Sequence, residues 1–286
     1  MSERHITALH GAYRDDIGDL VTRRPVPGPQ IDRIGAFLFL NHHGPQTYPP
    51  GNGGLPFGPH PHRGFETVTF ILDGELAHAD SAGHESVIRA GGIQWMTAGK
   101  GVVHAELSPE SFKAEGGPME ILQLWVNLPA RLKMTEPRYI GAQADAIPVV
   151  AGEGATVHLV SGSYGGVKGP VDSLTGVFMS WATIEARGSA TFDGLRGRDV
   201  FLYAVRGDVS VAGTALPEHH LAELGDGDSV TISADAPAVI LFGHADPIDE
   251  PVVAHGPFVM NSAEEIRQAY SDYRAGRFGN ARMVEA

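Results

Sequence analysis

The residues that decide the fold are 58–70, which read GPHPHRGFETVTF. Two histidines, His60 and His62, stand one residue apart and are followed by β-branched and aromatic residues. From there on, short apolar stretches such as VTFIL (68–72) alternate with turn signals such as the Asp-Gly pair that follows it. Strands this short and this regularly spaced are typical of an antiparallel sandwich or barrel. We therefore predict an all-β fold.

The same alternation of short apolar stretches and turns recurs in the second half of the chain. The stretches VFLYAV (200–205) and AVILFGH (238–244) are separated by turns rich in glycine and aspartate. This recurrence indicates a duplicated β-barrel. We predict two antiparallel jelly-roll barrels, in residues 1–140 and 141–286, connected by the loop-like stretch 131–148.

The carboxyl-terminal segment has a different pattern. In NSAEEIRQAYSDYRAGRFG (261–279), Ser262 and Glu265 form a capping-box pattern. Apolar residues then recur at helical spacing until Gly276. We expect a short helix that packs on a barrel, and only a few short helices in the whole chain.

The amino-acid composition excludes several classes of function. The 286 residues carry a net charge of −13 and no cysteine. An acidic chain without a basic cluster is a poor candidate for direct binding to nucleic acid or to an anionic membrane, and disulfides and cysteine-zinc sites are excluded. The polar start MSERHITALH and the lack of a long apolar stretch predict a cytoplasmic protein that does not cross a membrane.

Among the fourteen histidines, His60 and His62 have the spacing of metal ligands. Residues i and i+2 of a strand share a face, so both imidazoles could reach one ion. His104 and Glu106 repeat the spacing, and inward-facing residues of neighbouring barrel strands converge. Three imidazoles and a carboxylate suit Fe(II), Mn, Ni, Cu or Zn, as in non-haem iron oxygenases. Glu66 competes with Glu106 for the carboxylate position or orients a ligand, and spacing alone leaves both open.

Longer stretches carry a family resemblance. HPHRGFETVTFILDGELAHADSAG (60–83) followed by GGIQWMTAGKGVVHAE (91–106) resembles the signature of the pirin family, within the cupin superfamily. GPFVMNSAEEIRQAYSDYRAGRFG (256–279) resembles the pirin carboxyl-terminal segment. The resemblance implies a bicupin with two barrels, which agrees with the internal repeat.

The resemblance also implies one iron, Fe(II), in the amino-terminal barrel, with Mn, Ni, Cu, Co or Zn as alternative ions. Carried onto this sequence, the four ligands of the family are His60, His62, His104 and Glu106. The general cupin pattern would place the carboxylate ligand at Glu66 instead. In the second half, LRGRD (195–199) has no histidine and PAVILF (237–242) is apolar, so we predict one metal per chain.

Two functions follow from the resemblance. Several pirins resemble quercetin 2,3-dioxygenases, which cleave the central ring of flavonols with O2 and release carbon monoxide. In such an enzyme Glu106 or Glu66 would be the general base, and Trp95 and Phe57 are candidate contacts of the aromatic substrate. The alternative is a non-catalytic, iron-dependent regulatory protein of the transcription co-regulator type, with a protein partner whose face is basic. The dioxygenase is the favoured interpretation.

Overall fold

The structure, a computed structural model, describes residues 2–281 and is built mainly of antiparallel strands. The strands, in chain order, are β1 (Ile6–Gly11), β2 (Tyr13–Arg14), β3 (Thr22–Val26), β4 (Phe37–Tyr48), β5 (Phe57–His62), β6 (Phe65–Asp73), β7 (Glu75–Asp80), β8 (Glu85–Arg89), β9 (Ile93–Thr97), β10 (Val102–Leu107), β11 (Gly117–Asn127), β12 (Arg138–Ala142), β13 (Val149–Ala151), β14 (Ala155–Ser161), β15 (Ser163–Tyr164), β16 (Val167–Lys168), β17 (Phe178–Ile184), β18 (Gly188–Asp193), β19 (Asp199–Arg206), β20 (Val209–Val211), β21 (Thr214–Leu216), β22 (His220–Leu224), β23 (Ser229–Ala234), β24 (Ala238–Ala245), β25 (Val253–His255) and β26 (Phe258–Met260). The helices are α1 (Glu110–Glu115) and α2 (Ala263–Arg274), and short 3₁₀ turns cover Ala130–Leu132 and Ala144–Ala146.

Two compact units divide these residues, and each draws on both halves of the chain. The histidine unit, as we call it, consists of Asp15–Thr22, His42–Ala144 and 248–281. The companion unit consists of 2–14, Arg23–Asn41 and Asp145–Pro247. The ends are exchanged because β1 pairs with β22 in the companion unit, whereas α2 contacts β25 and β26 in the histidine unit. The division into domains 1–140 and 141–286 stays a prediction.

The histidine unit is a pair of facing sheets. One sheet has the order β5-β10-β7-β8, and in the other β12-β9-β6-β11-β4 lie side by side. The apolar part of the space between them is filled by residues from both sheets, among them Leu76, Ile88, Ile71 and Ile121. Hydrogen bonds also cross this space, since Gln94 Nε2 donates to the carbonyl of Leu76 (3.1 Å).

The companion unit also has two sheets, ordered β1-β22-β19-β24-β17-β14-β13 and β18-β23-β20-β21. Its interior is apolar throughout one large cluster. At its centre the rings of Phe192 and Phe242 stack with centroids 3.8 Å apart. The centre of this unit is therefore apolar.

The predicted all-β class with a short carboxyl-terminal helix is confirmed. Ser262 caps α2, because its side chain accepts from the backbone N–H of Glu265, and Glu265 Oε2 in turn accepts from the N–H of Asn261 (3.0 Å). The stretch 131–148, expected to be a loop, contains the strand β12, which pairs with β9. No helix among the described residues is long and apolar enough to cross a membrane.

Candidate metal centre

Two paired strands of the histidine unit carry the histidines. β5 and β10 run antiparallel, with His60 opposite His104 and His62 opposite Val102. Because directly paired residues of an antiparallel ladder point to the same side, all three imidazoles share one face. This is the face toward the second sheet of the unit, since His62 lies 5.3 Å from the ring of Trp125 on β11.

The three imidazoles form one compact group. The ring centroids of His60, His62 and His104 are 4.4–4.9 Å apart. One ligating atom from each of them lies within 4.8 Å of the other two. The structure thus brings together the three histidines that the sequence selected, as a potential metal site.

Hydrogen bonds orient two of the rings. His60 Nδ1 donates to the carbonyl of Gly58 (2.8 Å), and His62 Nδ1 donates to the carbonyl of Pro257 (3.3 Å). With Nδ1 protonated, the lone pair of each ring is on Nε2, and this is the usual way in which proteins orient metal-binding imidazoles. His104 is 1% exposed, and neither of its ring nitrogens has a hydrogen-bond partner within residues 2–281. A buried imidazole without a partner fits a ligand of a cation.

Burial favours the neutral form of the His62 and His104 imidazoles. Burial, with a smaller contribution from the neighbouring His60, lowers the pKa of His62 to about 3. Burial likewise holds the pKa of His104 well below its usual value, with His62 and His60 adding to the effect. Neutral imidazole is the form that binds metal, so protons do not compete with a cation for these two rings near neutral pH.

Glu106 completes the predicted ligand set on the same face. It is 3% exposed, and its Oε2 lies 3.9 Å from Nε2 of His104. Oε1 accepts a hydrogen bond from Thr69 Oγ1 (3.1 Å), and Oε2 accepts one from Gln123 Nε2 (2.5 Å). Sequence reasoning missed Thr69 and Gln123, although each alternates with apolar residues within its strand.

Glu66 is not brought to the histidines. On β6, Thr69 faces Glu106 and Phe65 packs against the ring of His62 (5.0 Å). Glu66 is adjacent to Phe65, and neighbouring residues of a strand point to opposite faces, so its side chain projects from the other face of the sheet. There its Oε1 accepts from Thr97 Oγ1 (2.6 Å), and burial raises its pKa.

The reason lies in the turn between β5 and β6. Alternation counted from His62 predicts that Glu66 points inward, but this count assumes a continuous strand. The chain turns at Gly64, which has φ = +89° and lies so close to the carbonyl of Val259 that a Cβ would be 2.0 Å from that oxygen. The inward and outward alternation therefore starts anew at Phe65, the first residue of β6, and Phe65 rather than Glu66 points inward.

The aromatic residue that lies beside the histidines is not one of the two expected from the sequence. Trp95 pairs with Val68 and therefore lies on the same outer face as Glu66, 2% exposed. Phe57 is partly exposed and packs against the ring of His43 (5.2 Å). Trp125, which the sequence did not single out, is the partly exposed aromatic residue beside His62.

Histidines outside this group have other partners in the fold. His78 Nε2 contacts Asp80 Oδ2 (3.1 Å), and its ring stacks on Tyr139 with centroids 4.0 Å apart. His42 is on β4 and bonds Glu120 Oε1 (2.7 Å) with both side chains fully buried. These contacts explain their presence without a metal.

Three imidazoles and one buried carboxylate, without sulfur, form a donor set for a transition-metal ion with open positions. A chain with such a set between the two sheets of one unit, and with a second two-sheet unit whose interior is apolar, has the features of a two-barrel metal protein of the cupin type. The family model described as Pirin matches residues 19–126, and the Pirin C-terminal cupin domain matches residues 180–279. The chain belongs to the pirin family, and the predicted bicupin fold is confirmed.

Known relatives cover almost the whole chain. A Pseudomonas aeruginosa protein named "Putative quercetin 2,3-dioxygenase PA2418" is 38% identical over 251 residues, 86% of this chain and 87% of its own length. Human pirin is 37% identical over 285 residues, 96% of this chain and 93% of its own length. A crystal structure of quercetin 2,3-dioxygenase from Acinetobacter baumannii superimposes with a TM-score of 0.91 at 30% identity, covering 98% of this chain and 99% of that one.

Proposed function

We propose that this pirin is a mononuclear non-haem iron dioxygenase that converts a flavonol such as quercetin and O2 into a ring-opened product and carbon monoxide. The observation that carries the proposal is the group of three histidines, His60, His62 and His104, whose ligating atoms lie within 4.8 Å of one another and two of which are buried. The relatives named as quercetin 2,3-dioxygenases support the choice of substrate class.

Within this proposal the ligands are His60, His62, His104 and Glu106, and the ion is one Fe(II) per chain. The donor set fits, because the two hydrogen-bonded rings keep Nε2 available and His104 has no competing partner. When bound, the metal supplies a Lewis acid for an acidic hydroxyl of the substrate and a redox partner for O2. The companion unit would remain free of metal, in line with its apolar interior.

The substrate would be held by residues of the same cavity. Trp125 offers a partly exposed aromatic surface beside His62, against which a planar flavonol ring can stack. Glu106 is the carboxylate on this face, so it is the candidate base for the proton of the 3-hydroxyl group. Glu66 lies on the other face of β6, and this placement does not support a direct role in catalysis. A cytoplasmic location and the domain boundary near residue 140 remain part of the proposal.

The test is anaerobic reconstitution of the full chain with Fe(II), followed by elemental analysis of bound metal. Quercetin and air-saturated buffer are then added, and the loss of flavonol absorbance is followed. His62→Ala removes a proposed ligand. His5→Ala is the matched control, because His5 is an exposed histidine of the companion unit.

We expect one iron per chain and turnover in the wild type and in His5→Ala, and neither in His62→Ala. One iron without turnover of quercetin would refute the dioxygenase and favour the regulatory alternative. If the wild type retains no metal, both functions fail together with the ligand assignment.

A further inference from the structure

We infer that Thr69 and Gln123 are positioning residues that hold the Glu106 carboxylate in place for the metal. The inference rests on the proposed metal centre, and it assigns a role to two residues that the ligand pattern does not contain. The role is to orient the one anionic ligand without neutralising it.

The two donors come from the sheet that faces Glu106. Thr69 on β6 and Gln123 on β11 are directly paired across the ladder, so their side chains emerge side by side. Thr69 Oγ1 donates to Oε1 of Glu106 (3.1 Å), and Gln123 Nε2 donates to Oε2 (2.5 Å). Each carboxylate oxygen thus receives one hydrogen bond, which determines the direction of the carboxylate plane.

The backbone of β10 sets the face on which Glu106 lies. β10 pairs with β7 in unbroken register from His104 to Leu107, so Glu106 projects to the same side as His104. The register shift in the pairing of β10 with β5 comes from an extra residue on β5. The strand does not fix the side-chain torsions that set the carboxylate plane, and the two hydrogen bonds from the second sheet do so.

Both donors are neutral, which distinguishes positioning from charge compensation. A buried carboxylate is costly unless it is bonded, and an arginine or lysine would be the usual partner if the fold only had to neutralise it. Among the described residues, the one ion-pair contact of Glu106 is with the imidazole of His104, 3.9 Å away, and both hydrogen-bond donors are uncharged. Neutral donors fix the carboxylate and leave its negative charge available to a cation.

The probe is Co(II), added to the metal-free full-length protein and measured by competition with a chelator. Thr69→Val and Gln123→Leu each remove one donor at nearly constant volume. Thr67→Val and Gln94→Leu are the controls: Thr67 is two residues before Thr69 on the same face, and Gln94 donates to the carbonyl of Leu76 instead of to Glu106. The Co(II) visible absorption bands, which respond to coordination number and geometry, are the second readout.

We expect Kd for Co(II) to rise about 10–100-fold in Thr69→Val and in Gln123→Leu, with altered absorption bands. Both controls should keep the wild-type bands and a Kd within about threefold of wild type, a margin well inside the effect expected for the donors. A double-mutant cycle separates positioning from general damage. In a Glu106→Ala background, Gln123→Leu should have little further effect on Kd, because its acceptor is gone.

Three results would overturn the inference. The first is that the donor variants behave like the controls. The second is that the effect of Gln123→Leu persists undiminished in the Glu106→Ala background. The third is that wild type and His62→Ala bind Co(II) equally poorly. Only the last of these refutes the proposed metal centre as well, so the two failures can be told apart.

Discussion

The assignment of the carboxylate ligand can be tested by a pair of matched substitutions, Glu66→Gln and Glu106→Gln. Both side chains are buried glutamates, 1% and 3% exposed. Glu106 lies on the face that carries the histidines, beside His104. Glu66 lies on the other face of β6, where it bonds Thr97. The same chemical change should therefore have opposite consequences at the two positions.

Glu106→Gln replaces the proposed carboxylate ligand by a neutral amide, and we expect metal affinity to fall by at least the 10–100-fold typical of lost support around a ligand. Glu66→Gln should leave metal affinity within about threefold of wild type, well short of that loss. It should raise the free energy of unfolding at pH 7 by about 1 kcal/mol or more, because it removes a desolvated charge while Thr97 can still donate to the side-chain oxygen. For a chain of this size, that is a rise in Tm of about 2–4 °C.

The sign of the pH dependence follows from the raised pKa of Glu66. The wild type keeps its full stability below the unfolded-state pKa of about 4.3 and loses stability as the pH rises through the folded-state pKa. Glutamine mimics the protonated acid, so the advantage of Glu66→Gln should be small at pH 4 and larger at pH 7.

The assay is urea unfolding of the metal-free protein at pH 4 and pH 7, together with chelator competition for Co(II). The reasoning is refuted if Glu66→Gln weakens metal binding as much as Glu106→Gln does. A Glu66→Gln protein that is less stable than wild type at pH 7 would refute the argument from the buried charge.

Three further predictions concern the stability of the metal-free protein. Lys133→Met should lower the free energy of unfolding by about 3 kcal/mol in urea titrations, because three buried oxygen acceptors lose the ammonium that bonds them; a loss below about 1 kcal/mol would contradict this. Asp272→Ala should cost about 3–5 kcal/mol in the same assay, since the buried Arg63 loses its carboxylate partner (2.8 Å), whereas a neutral outcome would show that water takes over the contact. The folded-state pKa of His244 is lowered to about 3 by burial and by nearby arginines, so stability should fall as the pH drops from about 6.5 toward 3, by up to about 1.4 kcal/mol per pH unit from this group; His244→Gln should flatten that slope in unfolding curves recorded across this range.

The parts of the structure that the sequence predicted are those governed by local periodicity. β6, β19 and β24 fall where alternating apolar runs indicated strands, and α2 begins at the capping residue Ser262. The three histidines were found because each spacing was counted within one uninterrupted strand. The strand β12 was missed because RYIGA has too few apolar residues to stand out, and it forms by pairing with β9.

The parts that the sequence did not predict depend on how strands are placed against one another. Glu66 was counted in phase with His62 across a turn, and a tight turn of this kind restarts the alternation. The donors Thr69 and Gln123 come from other strands, in the sheet that faces Glu106, so no spacing rule within one strand links them to it. Trp125 became visible as a neighbour of His62 only once the two sheets were seen to face each other.

The contrast between the two units supports the proposal of one metal site per chain. Four polar ligands in the interior of a barrel are costly to bury unless a cation or hydrogen bonds compensate for their lost hydration. In the histidine unit, backbone carbonyls orient two imidazoles, and neutral donors hold the carboxylate. In the companion unit, the stacked rings of Phe192 and Phe242 lie within an apolar cluster. Placing histidines in that cluster would therefore destabilise the unit, unless its sheets also supplied side chains that orient them.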